Sequence, residues 1–363
     1  MPRLHKRELA EILHLLPEAK HCRPETEPQG RSESLFLCAL GFEERCLTLP
    51  ARLAASGYRA DHAIYLQYET NSGDNESRLP SLLTALNVIS DDVQKFRYDE
   101  PGASNLLVST LRSFDPAHTP AVTFDISVTS NRFLIRALRH LLSFNIRLRL
   151  VYSEAEIYHP TEDEYKTDPS RWTHDPRFGT EHGVAEIVPL VEYSGHLDSL
   201  PDFIIVFPSF KPDRARAVIN DIDPSLVGNP SRKVLWLVGV PHLSENFWRV
   251  EAMRQINQLG SVAQQMEIST FDYKQTLRVL DSTYDKVKND YNISIVPFGS
   301  KLQSVAVALF CTMHPELRVV SAIPYKYGTL FSEGFKQTWE IDYGATQDVR
   351  NILAEVGELS ISD

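Results

Sequence analysis

Cysteine is scarce in this chain: four among 363 residues, Cys22, Cys38, Cys46 and Cys311, with no spacing that suits a disulfide framework or a zinc site. They read as reduced thiols in or near the core. Long hydrophobic runs are missing. Nothing approaches the roughly 20 apolar residues of a membrane helix, and the opening residues 1–7 lead into no secretion-type segment, so the expected setting is the cytoplasm, away from membranes. Positive charge is in deficit, with 37 Lys and Arg against 48 Asp and Glu and a formal net charge of −11. That argues against direct nucleic-acid binding over a broad surface, which needs clustered cations to displace counterions, but leaves room for one local anion pocket. Common catalytic loops are absent too. Without Gly-x-Gly-x-x-Gly, a Walker A loop, Gly-x-Ser-x-Gly or His-Glu-x-x-His, nicotinamide, P-loop, hydrolase-elbow and zincin chemistries lose their usual support. No cofactor and no metal are expected.

What the chain does have is a repetition. A strand-like run at 35–40 ends in Gly41-Phe42-Glu43-Glu44-Arg45 and enters a helical pattern; a second run at 203–207 ends in Ser209-Phe210-Lys211-Pro212-Asp213-Arg214 and does likewise. A further pair keeps nearly the same offset: Asp125-Ile126-Ser127 with Ser130-Asn131-Arg132, and Pro297-Phe298-Gly299-Ser300-Lys301. Phe42 and Phe210 are 168 positions apart (210 − 42), and Asp125 and Pro297 are 172 apart (297 − 125).

Around these anchors, apolar runs alternate with amphipathic patterns. Strands are expected at 35–40, 63–68, 93–98, 121–126 and 146–152, and again at 203–207, 234–240, 262–268, 293–296 and 319–323, with a helix between each pair. Near-continuous apolar strands separated by helices imply parallel sheets covered on both faces. The fold class is therefore α/β, two tandem Rossmann-like, doubly wound units related by internal duplication. Residues 1–33 read as an N-terminal helix and connector, 34–158 as the first unit, 159–201 as a connector with room for a hairpin, 202–340 as the second unit, and 341–363 as a C-terminal helix and tail. Residues 325–339 show no regular pattern in this reading. Arg132, Arg136, Arg139 and His140 oppose Phe133, Leu134, Leu138, Leu141 and Leu142 on one helix and read mostly as its solvated face.

In doubly wound sheets ligands sit outside the carboxyl ends of the strands, where helix N-termini and free N–H groups converge. Four turns have that address. Gly41, Phe42, Glu43 and Arg45 form the first, with Arg45 either pairing locally or facing a ligand; Phe210 and Arg214 form its echo. Asp125, Ser127, Thr129, Ser130, Asn131 and Arg132 make the most polar strand end, more hydrogen-bonding groups than helix capping alone needs. Gly299, Ser300 and Lys301 combine backbone donors, a hydroxyl and a point charge, a set that suits a phosphate. Scattered loop histidines such as His159, His174, His182 and His242 read mainly as exposed side chains, with acid–base work open to them beside Glu154 or Glu156.

The Gly-Phe-x-x-Arg start, the Asp-Ile-Ser with Ser-Asn-Arg, and the Pro-Phe-Gly-Ser-Lys turn together resemble a group of bacterial two-Rossmann proteins linked with defence gene neighbourhoods. In outline the arrangement is similar to the CARF and SAVED sensor domains. Over residues 35–340 the resemblance implies a cleft between two halves that binds a nucleotide-like ligand, and it places ligand turns at Gly41 to Arg45, Ser127 to Arg132, Ser209 to Arg214 and Gly299 to Lys301. No effector nuclease or helix-turn-helix segment is recognisable, so a protein partner or effector chain is expected to supply the output. Two rivals stand beside the sensor. One is an enzyme acting on a nucleotide or nucleoside, a hydrolase or transferase using Asp125 with Glu154 or Glu43; the other is a scaffold subunit that binds no ligand.

Overall fold

The computed structural model describes residues 9, 11–22, 32–68, 71–97, 103–115, 118–174, 183–197, 199–226, 233–261, 263–328 and 331–361. Most of the first expected connector, and His182, lie outside the described residues. In chain order the strands and longer helices are β1 (Lys20–Cys22), β2 (Ser32–Ala39), α1 (Arg45–Ala55), β3 (Arg59–Gln67), α2 (Leu79–Ile89), β4 (Val93–Arg97), α3 (Ala103–Ser113), β5 (Ala121–Asp125), α4 (Asn131–Ser143) and β6 (Arg147–Glu154). Then follow β7 (Ile157–Tyr158), β8 (Glu186–Ser194), β9 (Asp202–Phe207), α5 (Pro212–Ile222), β10 (Val234–Val240), α6 (Trp248–Ile256), β11 (Gln264–Ser269), α7 (Tyr273–Val287), β12 (Asn292–Pro297), α8 (Lys301–Met313), β13 (Arg318–Ile323), β14 (Ser332–Glu333), β15 (Gln337–Ala345) and α9 (Thr346–Ile361).

The two sheets have one plan. The first runs β1-β15-β6-β5-β2-β3-β4 and the second β11-β10-β9-β12-β13-β8. Taken in chain order, the five parallel strands of each unit lie third, second, first, fourth, fifth, the Rossmann order. The chain is thus two Rossmann-like units, as the spacing of its turns predicts. In each, strand order reverses between the first and fourth strands, β2 with β5 and β9 with β12, so the turns after those strands flank a switch point.

Two segments sit otherwise than the sequence reading has them. The connector after β6 supplies β8, which adds antiparallel to β13 of the second sheet. The segment after β13, expected to be irregular up to residue 339 and counted with the second unit to residue 340, supplies β15, which adds antiparallel to β6 of the first sheet with Gln337 opposite Glu154. Each unit's exit chain therefore completes the other unit's sheet. On the way, β7 and β14 pair with each other, Tyr158 opposite Ser332. The cause is edge chemistry: an unpaired strand edge exposes N–H and C=O groups, and these crossing strands cover the fifth strand of each sheet.

The units meet through α4 and α8, the most extensively packed helix pair. Residues Leu302 to Cys311 of α8 are all buried, which explains a helix apolar nearly all round: α4, α7 and its own sheet cover it. α4 buries Phe133, Leu134, Leu138, Leu141 and Leu142 as read from sequence. Its basic face is not simply solvated. Arg136 pairs with Glu192 of β8 at 2.8 Å, and Arg139 donates to the Glu192 carbonyl and lies over the Tyr193 ring. Each large apolar side chain so enclosed contributes roughly 1.5–3 kcal/mol.

Candidate functional site

The carboxyl ends of both sheets open onto one cavity of about 410 Å³, inside the size range of small-molecule sites. Of the residues singled out from sequence, Gly41, Phe42, Glu43, Arg45, Thr129, Ser130, Asn131, Arg132, Phe210, Arg214, Gly299, Ser300 and Lys301 line it. Asp125 and Ser127 do not. The Asp125 carboxylate accepts from the Ser127 amide and hydroxyl, and the Ser127 hydroxyl accepts from the amide of Ser153, so the pair locks the strand end beneath the cavity. Burial pushes the Asp125 carboxyl up to about 6, against the Ser127 donors. An acid–base role for Asp125 on a ligand in the cavity loses its geometry.

The first turns of α4 and α8 meet at the seam between the units. Ser130 and Ser300 are their N-caps, each accepting from the amide three residues on, Phe133 and Gln303. Asn131, the first helical residue of α4, donates through Nδ2 to the carbonyls of Pro297 and Gly299 at 3.1 and 2.8 Å, stitching one unit to the other. Its counterpart in the second copy is Lys301, whose Nζ donates to Asn131 Oδ1 at 3.2 Å. The copies have diverged at this one position into an amide that fixes backbone and a cation that faces the cavity. Burial holds the half-buried Lys301 ammonium down to about 8, with Arg45 and Arg214 pushing the same way and Glu43 opposing them.

Gly299 has a steric reason. A Cβ there would fall on the Gln303 amide, which closes the capping box by accepting from the Ser300 N–H. Gly299→Ala is expected to expel that amide at a cost of about 0.5–2 kcal/mol. Urea unfolding checks it: the midpoint falls while the slope m stays constant.

Arg45 and Arg214 are twins in contact as well as in sequence. Arg45 donates to the Ser153 carbonyl at the end of β6, and Arg214 to the Ala322 carbonyl near the end of β13, both at 2.9 Å. Donors and acceptors share one offset, 214 − 45 and 322 − 153 both giving 169. Arg45 also pairs with Glu43 at 2.6 Å, and Arg214 lies over the Phe298 ring. Burial works against the Arg45 charge, but Glu43 and the neighbouring tyrosines outweigh it and keep the guanidinium protonated. Both arginines shape the cavity wall while holding the first helix of each unit to its fifth strand.

Sequence reasoning missed other lining residues. Arg249, from α6, donates to the carbonyls of Tyr158 and Pro160 at 3.2 and 2.6 Å and lies over the Phe210 ring; burial pushes it down to about 10. Tyr68, Tyr152, Tyr158, Phe271 and Phe298 add aromatic wall. Glu154 and His242, mentioned from sequence only as possible acid–base groups, come together from different units: His242 Nε2 lies 3.2 Å from Glu154 Oε1. His159 also borders the cavity, but both its ring nitrogens are held, by Glu164 at 2.8 Å and Glu333 at 3.1 Å. No helix among the described residues is long and apolar enough to cross a membrane, and no group of three metal-ligating side chains occurs among them.

No family model matches the chain, and no curated protein does. Among solved structures it is similar to the cytoplasmic domain of a prokaryotic cation chloride cotransporter, with 8% identity over 81% of this chain and 96% of that one. The TM-score of that pair is 0.25, too low to carry an argument about fold or function.

Proposed function

We propose that the protein is a ligand-sensing or regulatory subunit of a bacterial antiviral defence system, holding a nucleotide-like anion between its two units in the cytoplasm. One observation carries the ligand class. The cavity is lined by five cationic side chains, Arg45, Arg132, Arg214, Arg249 and Lys301, against two carboxylates, Glu43 and Glu154, in a chain whose net charge is −11. Cations concentrated against the overall field favour an anion there. Two helix N-termini reinforce them, and the tyrosine and phenylalanine walls offer faces on which a base can stack. The defence setting rests on the family resemblance. A signal has a route to a partner chain, because Tyr158 of β7 lines the cavity, β7 pairs with β14, and Ser332 of β14 donates to Glu43.

Thermal denaturation with a panel of nucleotides and cyclic oligonucleotides tests this reading. A true ligand at about 100 times its Kd adds about 2.7 kcal/mol, a midpoint shift of several degrees. A flat response to every compound, with Arg132→Ala and Lys301→Ala behaving like the parent protein, would sink it.

A second reading, an enzyme acting on the bound nucleotide, is favoured by the Glu154–His242 approach rather than by Asp125.

A further inference from the structure

We propose that His242, oriented by Glu154, is a general base that activates water for hydrolysis of a phosphoanhydride bond in a nucleoside triphosphate held in the cavity. Glu154 is built as an orienting group. Its side chain is 4% exposed, and Oε2 accepts from Gln337 Nε2 at 2.8 Å and Trp339 Nε1 at 3.0 Å, which leaves Oε1 for the imidazole, an ion-pair approach of 3.2 Å short of hydrogen-bond alignment. Two strands hold it: Glu154 ends β6, while Gln337 and Trp339 come on β15, the strand that crosses from the other unit. His242 follows β10 and is 26% exposed. Its ring packs on Phe271 at 4.6 Å and edge-on to Trp339 at 6.0 Å, so packing as well as charge sets its angle.

With Nε2 the ring nitrogen beside the carboxylate, Nδ1 is the nitrogen left to accept a proton, and no hydrogen bond from a described residue occupies it. His159, the other cavity imidazole, has carboxylates on both nitrogens and cannot serve. The base also stands near the anion site: Phe271 follows Thr270, whose carbonyl accepts from the Ser300 hydroxyl at the head of α8. The 3.2 Å approach has room to shorten when a substrate fills the site.

One base and several cations suit an anhydride. The water oxygen bonds to the terminal phosphorus, the bridging P–O bond breaks, His242 takes the water proton and later releases it to solvent, and the nucleoside diphosphate leaves as an anion. A leaving phosphate needs no proton donor, whereas an alkoxide would, and among the described residues the cavity presents a single free imidazole. Lys301 and Arg132 would bear on the charge of the transferring group.

Because this rests on the same cavity holding an anion, binding and turnover are measured side by side with MgATP and MgGTP. Phosphate release and thermal shift are the readouts. The expected result is steady release by the parent protein, a fall in kcat of about 100-fold or more in His242→Ala with KM little changed, and partial recovery on adding imidazole. Glu154→Gln should lower kcat while the thermal shift persists. Stabilisation by a triphosphate with no phosphate release, or release that survives His242→Ala, overturns the catalytic role and leaves the sensor reading standing. No shift and no release with either triphosphate overturns the catalytic role and counts against the nucleotide reading as well.

Discussion

Lys301→Ala is expected to weaken anion binding by about 10- to 100-fold, the worth of one charge-assisted hydrogen bond of roughly 1.5–3 kcal/mol. The residue opens α8, where dipole, N–H groups and ammonium add at one point. Affinity should also depend on pH in a way that identifies the group. With its pKa held down to about 8, Lys301 is largely cationic below that value and neutral above it, so affinity falls as pH rises through 8 and 9. Lys301→Arg stays charged and should flatten that profile while keeping most of the affinity at pH 7. The unliganded protein should show the opposite trend. A lysine whose folded pKa is depressed binds fewer protons folded than unfolded between about 8 and its ordinary value, so stability rises across that window. Calorimetric titration and thermal melts at matched pH check both signs; affinity that is level in the parent protein would remove Lys301 from the site.

Arg45→Met should give the largest loss of stability. Arg45 is 3% exposed and its partner Glu43 10%, and removing the cation strands a buried carboxylate at a cost of about 3–5 kcal/mol. It also leaves the Ser153 carbonyl without its donor. For a chain of this size the melting midpoint should drop by roughly 4–7 °C. Glu43→Gln combined with Arg45→Met should recover a good part of that, since no unpaired charge remains buried. Arg214→Met should cost less, about 1–3 kcal/mol, because the contacts it gives up include a carbonyl and an aromatic face. Equal losses for the two single variants, or no recovery in the double variant, would refute the ion-pair explanation.

The repeat was legible because it is local. Strand, turn and helix follow one another within about 25 residues at each anchor, and the turn residues recur at a nearly fixed offset, so the units and their ligand-facing ends could be placed from the chain alone. The crossing strands were not legible, since Gln337 opposite Glu154 joins residues 183 apart, a pairing no local pattern encodes. A signal existed: Trp339, Ile341 and Tyr343 alternate with Glu340 and Asp342, a period of two that the neighbouring Gly334 and Lys336 obscured. Asp125 was over-read because a carboxylate at a strand end looks alike whether it faces a ligand or, as here, caps the turn of its own Ser127. Arg249 and His242 have no echo in the first copy, so the recurrence that marks the paired turns does not mark them.

The exchange of edge strands has a bearing on synthesis. When the first five parallel strands have left the ribosome, the outer edge of β6 still lacks its neighbour, and that neighbour, β15, is translated only after the whole second sheet. The earlier half must therefore wait with an open flank, and a gene split between the halves would deliver two fragments that each need the other to close.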